Sequence, residues 1–125
     1  GANVTHVAGR LPLNASSSGL VLLAYADADV RERVLSAPLR RLTATTPATP
    51  EAVRRKLDEI RTLGHAIAPG FVEDVSTGVA VPVRGEAGQV TAALSAILRR
   101  EAATAPVLEE LHRAAREIER ALTPT

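Results

Sequence analysis

The stretch Val79-Ala80-Val81-Pro82-Val83-Arg84-Gly85-Glu86-Ala87-Gly88-Gln89-Val90-Thr91-Ala92-Ala93-Leu94-Ser95-Ala96-Ile97-Leu98 decides the fold. Val79, Val81 and Val83 alternate with smaller residues, and Val75 extends the pattern backwards, as in a half-buried strand. Gly85–Gly88 supplies turn chemistry. Gln89–Leu98 reads as the partner strand, with Val90, Ala92, Leu94 and Ala96 on one face. The stretch therefore predicts an antiparallel hairpin.

Working upstream, His65–Val72 carries the β-type residues Ile67, Phe71 and Val72, interrupted by Pro69-Gly70. Before it lies the clearest helix. Thr49 caps it, and Pro50 occupies the first turn, where a missing N–H costs nothing. Val53, Leu57, Ile60 and Leu63 form one stripe, and Gly64 stops the helix. Arg41–Pro50, rich in Thr, Ala and Pro, reads as a surface loop. Asp29 and Glu32 resemble a capping box for a short helix over Val30–Leu35, ended by Pro38. Ser16-Ser17-Ser18-Gly19 precedes the apolar run Leu20–Ala26, which predicts a buried helix over about Ser18–Ala26. Asn3–Ala8 reads as a strand. Downstream, Thr104 and Pro106 open a final helix with the stripe Val107, Leu108, Leu111, Ala115, Ile118 and Leu122. Helices beside a mostly antiparallel sheet make an α+β class.

The 125 residues fit one domain, 1–125, and 46% are hydrophobic, which predicts a packed core. Tyr25 and Phe71 are the only aromatic residues, so Ala, Val, Leu and Ile build that core. The net charge of +1 points to neither a nucleic-acid groove nor a polyanionic tail. Lys56 is the only lysine. The arginines are scattered along helices, and the pairs Arg40-Arg41 and Arg99-Arg100 are too short for a nucleic-acid patch. The absence of cysteine excludes disulfides and thiol chemistry. Apolar runs fall short of a membrane span, and the start lacks signal-peptide layout. A soluble cytoplasmic protein without membrane contact is the expectation.

The serines suggest a site. Free N–H groups at a helix start favour an anion, hydroxyls add donors, and Gly19 allows close approach of the backbone. The plainer reading is that Ser16–Ser18 only cap the helix. Ser95 lies mid-strand, where its hydroxyl bonds either a ligand or neighbouring backbone. His6, His65 and His112 are too far apart in sequence for a local metal motif, so no metal or cofactor is expected.

Three segments, in order over about Gly9–Leu122, resemble the C-terminal domain of the IclR family. The first is Arg10-Leu11-Pro12-Leu13-Asn14-Ala15-Ser16 through Gly19 and Leu22-Leu23-Ala24. The second is Leu57–Gly64, with Ile60-Arg61. The third is Val79-Ala80-Val81-Pro82-Val83 with Gly88-Gln89-Val90 and Ala92-Ala93-Leu94-Ser95. Asn14 stands where the family usually has His, Leu20-Val21 replaces the usual Lys-Ala, and the family's acidic run is Ala68-Pro69-Gly70-Phe71 here.

The resemblance implies a GAF-like fold, an antiparallel sheet flanked by helices, truncated at its N-terminal strands. It implies a domain that senses a small organic acid or apolar metabolite and assembles as a homodimer or tetramer. Operator DNA would be bound only through a winged helix-turn-helix domain that this chain lacks. By register with the family, Ala68, Ser76, Gly78, Ser95 and Ile97 would line the pocket with Ser16, Ser17, Ser18 and Gly19. Gly78 and Ile97 are often polar in the family, which implies a roomier and more apolar pocket. Two other readings compete: an assembly module without a ligand, and a small hydrolase using Ser95 or Ser17. The hydrolase reading lacks a Gly-x-Ser-x-Gly elbow, so no enzymatic activity is expected.

Overall fold

A computed structural model describes residues 11–122. The expected strand over Asn3–Ala8 lies outside the described residues. The described elements run α1 (Ser17–Ala24), α2 (Ala28–Ser36), α3 (Pro50–Leu63), β1 (Ala66–Pro69), β2 (Ser76–Arg84), β3 (Val90–Arg99) and α4 (Ala105–Leu122). The order is the one the sequence predicts from α1 onward, and the class is α+β.

The hairpin forms as read. β2 is the central strand, paired antiparallel with β1 and β3 in the order β1-β2-β3. Val81 faces Leu94 and Val79 faces Ala96 across the ladder, with a register shift between Val83 and Arg84 next to the turn. Val75 departs from the expectation. It precedes β2 and is 72% exposed, because the strand begins only at Ser76.

Alternation gives the sheet two covered faces. On one, Val79, Val81 and Val83 pack with Ile67, Leu94, Ala96 and Leu98 against Val107, Leu108, Leu111 and Ala115 of α4. Ile118 and Leu122, expected in the α4 stripe, are exposed. On the other face, Ala66, Ala68, Ala80 and Ala93 present small side chains to Leu20, Val21, Leu23 and Ala24 of α1. These alanines let α1 lie close on the sheet. α3 packs behind it through Val53, Leu57 and Ile60, all essentially buried. Leu63 falls out of the predicted stripe, since Gly64 (φ 80°) ends the helix there and leaves it exposed.

Capping sets the ends of these helices. Thr49 Oγ1 accepts from the Ala52 amide at 3.1 Å. For α2 the cap is Asp27 rather than Asp29, and its side chain makes no capping bond. The exit of α1 is fixed from α3, since Arg61 Nη1 donates to the Ala24 carbonyl at 2.8 Å. The loop rich in threonine is less superficial than its composition predicts. Thr46 is buried; its Oγ1 donates to Phe71 O at 2.6 Å and accepts from Leu42 N and Thr43 N. Thr43 and Thr45 both donate to the Gly70 carbonyl. Three hydroxyls thus tie this loop to the end of β1.

Candidate functional site

The Pro12–Ser16 turn delivers the chain into α1. Ala15 N and Ser16 N both donate to Pro12 O, at 3.0 and 3.2 Å. Asn14, in the position where the family usually has His, is buried and structural. Its Nδ2 donates to Arg40 O at 2.8 Å and to Pro47 O at 2.9 Å. One amide group thereby holds the loop after α2 against the entry to α1.

Ser16 is the N-cap, in extended conformation, and its Oγ accepts from the Gly19 amide at 3.0 Å. For Ser16 the plain capping role holds. Gly19 also differs from expectation. A Cβ there would meet Ser16 Oγ at 2.7 Å and Leu13 Cα at 2.8 Å, so its missing side chain admits the chain's own turn. The amides of Ser17 and Ser18, in contrast, have no partner among the described residues. These are the orphan donors of a helix's first turn.

Ser17 links the helix to the sheet. It is only 4% exposed, yet its hydroxyl has no hydrogen-bond partner among the described residues and is not sealed from solvent. It sits over Gly78: a Cβ on Gly78 would lie 2.9 Å from Ser17 Oγ, 3.3 Å from Ser17 Cβ and 3.7 Å from Ile97 Cδ1. Gly78 is therefore a point of close approach between α1 and β2.

The register brings the five sheet residues together. Ala68 and Ile97 flank Gly78 in the ladder, Ser95 pairs with Ala80, and Ser76 lies two residues before Gly78. All five share the face that carries α1. Ala68 is buried beneath the helix. Ser95 and Ile97 are exposed, Ile97 by 68%, on β3, an edge strand of the described sheet. Ser76 Oγ makes only a long 3.5 Å contact with Glu73 O. Ala68 and Gly78 thus lie beneath α1, Ser17 and Ser18 at its start, and Ser95 and Ile97 on the exposed edge strand.

The histidines also depart from their sequence spacing. The rings of His65 and His112 lie 6.0 Å apart, edge to face, joining the start of β1 to α4. Burial holds the His65 pKa below its ordinary value, helped by the charges of His112 and Lys56 and opposed by Glu59. Both imidazoles lie on the α4 side of the sheet, across it from Ser17 and Ser95. Among the described residues no group of three or more His, Asp or Glu is arranged to hold a metal. No described helix is long and apolar enough to cross a membrane.

Comparison with known proteins places these features in a family. Residues 2–120 match the family model for the bacterial transcriptional regulator IclR C-terminal domain. An IclR homologue from Microbacterium hydrocarbonoxydans, crystallised with 4-hydroxybenzoate, is 52% identical with a TM-score of 0.87, over 92% of this chain and 48% of that one. The inducer-binding domain of PobR from Acinetobacter, a double mutant in complex with 3-hydroxybenzoic acid, is 28% identical with a TM-score of 0.79, over 87% of this chain and 66% of that one. The Pca operon regulatory protein of Acinetobacter baylyi is 36% identical over 93 residues, 74% of this chain and 34% of the relative. The chain thus spans about a third of that curated relative and about half of the Microbacterium chain. With the match running through nearly every described element, the chain belongs to the family of bacterial transcriptional regulator IclR C-terminal domains.

Proposed function

We propose that this chain is the effector-sensing part of a transcriptional regulator and that its guest is a small aromatic carboxylate of the hydroxybenzoate class. The carboxylate accepts from the Ser17 and Ser18 amides at the start of α1, where the helix dipole favours negative charge. The Ser17 hydroxyl supplies a further donor. The ring lies beside Ser17, with Ser95 and Ile97 as its outer wall. The observation that carries the reading is the pair of amides, unpartnered among the described residues, at the start of the helix that seats Ser17 on Gly78 of the central strand. The hydroxybenzoates bound by the Microbacterium and PobR proteins support the ligand class.

Gly78 and Ile97 present no polar group to the guest, so a larger or more apolar aromatic acid is favoured over a small hydroxylated one. Effector binding would shift an equilibrium between assemblies of the regulator, a homodimer or tetramer in the cytoplasm, and so alter operator affinity through its winged helix-turn-helix domain. The function is that of a binding module; the described histidines lie across the sheet from both candidate serines, which gives the hydrolase reading no support.

Calorimetric titration with 4-hydroxybenzoate and 3-hydroxybenzoate tests the proposal. Saturable binding is expected, weakened about tenfold by Ser17→Ala, in line with loss of one hydrogen bond to a charged group. Gly78→Val should abolish it by displacing Ser17, which packs on Gly78. No heat with any aromatic acid, or equal affinity for the Gly78→Val protein, would overturn the assignment.

A further inference from the structure

At the other end of α1, away from the serine turn, the hairpin tip and the α1–α2 junction border an open groove of about 420 Å³. Tyr25, Asp27, Val30, Arg84, Gln89 and Val90 are among its walls. The volume lies within the range of small-molecule sites.

Arg84 is held in place before any ligand arrives. Its guanidinium carbon lies 5.1 Å from the centre of the Tyr25 ring, and its Nη1 donates to Gly88 O at 2.9 Å. Its backbone N–H donates to Glu119 Oε2 at 2.9 Å. No ion pair reaches its guanidinium among the described residues, and Nε and Nη2 remain available as donors. A fixed guanidinium loses less side-chain entropy on binding and matches a carboxylate with two parallel bonds.

Asp27 is the second charge. An aspartate at an N-cap ordinarily accepts from the helix amides it precedes. Asp27 makes no such bond and enters no ion pair among the described residues, yet it lines the groove with Arg84. Asp29 adds another carboxylate in the first turn of α2. A simple anion on Arg84 would therefore meet repulsion from this wall. A guest carrying both signs would not. Tyr25, Val30 and Val90 add apolar surface to the same walls.

We propose that this groove is a second small-molecule site, taking a free α-amino acid with an apolar side chain. Its carboxylate pairs with Arg84, its ammonium with Asp27, and its side chain lies against Tyr25, Val30 and Val90. The site is separate from the serine turn, and its charge pattern selects a zwitterion where the other selects an aromatic acid.

Titration of the ¹⁵N-labelled chain with L-phenylalanine, N-acetylphenylalanine and phenylalaninamide tests this by NMR. L-Phenylalanine should shift the amides of Tyr25, Gln89 and Val90 saturably. Each analogue lacking one charge should bind about tenfold or more weakly, as should the Arg84→Gln and Asp27→Asn proteins with L-phenylalanine. Ser17→Ala should leave this binding unchanged, so failure here is separable from failure at the serine turn. Should Arg84→Gln disturb the hairpin, Asp27→Asn, at a helix start outside the sheet, carries the test. Absence of saturable shifts, equal binding of the analogues, or undiminished binding by Asp27→Asn would overturn the proposal.

Discussion

Adding one methyl group at Gly78 tests how α1 is seated. The Cβ of Gly78→Ala would stand 2.9 Å from Ser17 Oγ and 3.3 Å from Ser17 Cβ. The hydroxyl can turn away only by leaving its rotamer, which carries part of the cost, and the methylene cannot move, because Ser17 is the first helical residue, fixed between the Ser16 cap and the helix it opens. Overpacking of this kind costs about 1–3 kcal/mol. Replacing a mid-strand glycine returns about 0.5–1 kcal/mol. The net expectation is a loss of about 1–2 kcal/mol. Ser17→Ala alone removes a hydroxyl that has no partner among the described residues, so it should change stability by under about 1 kcal/mol. In the double variant the closest approach is the 3.3 Å carbon contact, and about 1 kcal/mol of the Gly78→Ala loss should return. Urea melts of the four proteins give this coupling directly. A Gly78→Ala protein as stable as the parent would refute the reasoning, and so would additivity of the two changes within about 0.5 kcal/mol.

Other consequences follow from the same contacts. Asn14→Ala should cost about 2–3 kcal/mol in denaturant melts, since two carbonyls, Arg40 O and Pro47 O, lose their donor. Thr46→Val keeps the shape but leaves the Phe71 carbonyl and two amides without the hydroxyl; a loss of about 1–3 kcal/mol is expected, and a neutral result would mean solvent replaces it. His65 has a pKa below 6.5 in the fold, so the folded state binds its proton less readily than the unfolded chain. Its contribution is complete above pH 6.5 and is lost as pH falls from there through the depressed folded value. Stability of His65→Gln should therefore fall less steeply over this acid range, and parallel pH profiles for the two proteins would contradict the burial assigned to His65.

How much of this was legible beforehand depends on the kind of signal. Period-two alternation gave the hairpin, and the stripe Val53, Leu57, Ile60 with Thr49, Pro50 and Gly64 gave α3, because local pattern and tertiary burial agree there. Leu63, Ile118 and Leu122 fit a stripe but are exposed, since periodicity carries no information on where a packing partner ends. Asp27 rather than Asp29 caps α2, a two-residue choice that spacing alone does not make. In the site, the family register implies that Ala68, Ser76, Gly78, Ser95 and Ile97 line a pocket; the ladder sets them on one face of the sheet. The reason Gly78 lacks a side chain, the seat of Ser17, needed coordinates. So did the Asn14 and Thr46 anchors and the His65–His112 contact, each of which joins residues distant in sequence. Gly19 was read as room for a ligand; it is room for Leu13 and Ser16.

The most direct measurement is a crystal structure of this chain with 4-hydroxybenzoate. The carboxylate is expected within about 3 Å of the Ser17 and Ser18 amides, with the ring beside Ser17 and against Ile97. Ligand density elsewhere, or those two amides bonded to protein atoms with no space beside them, would contradict it.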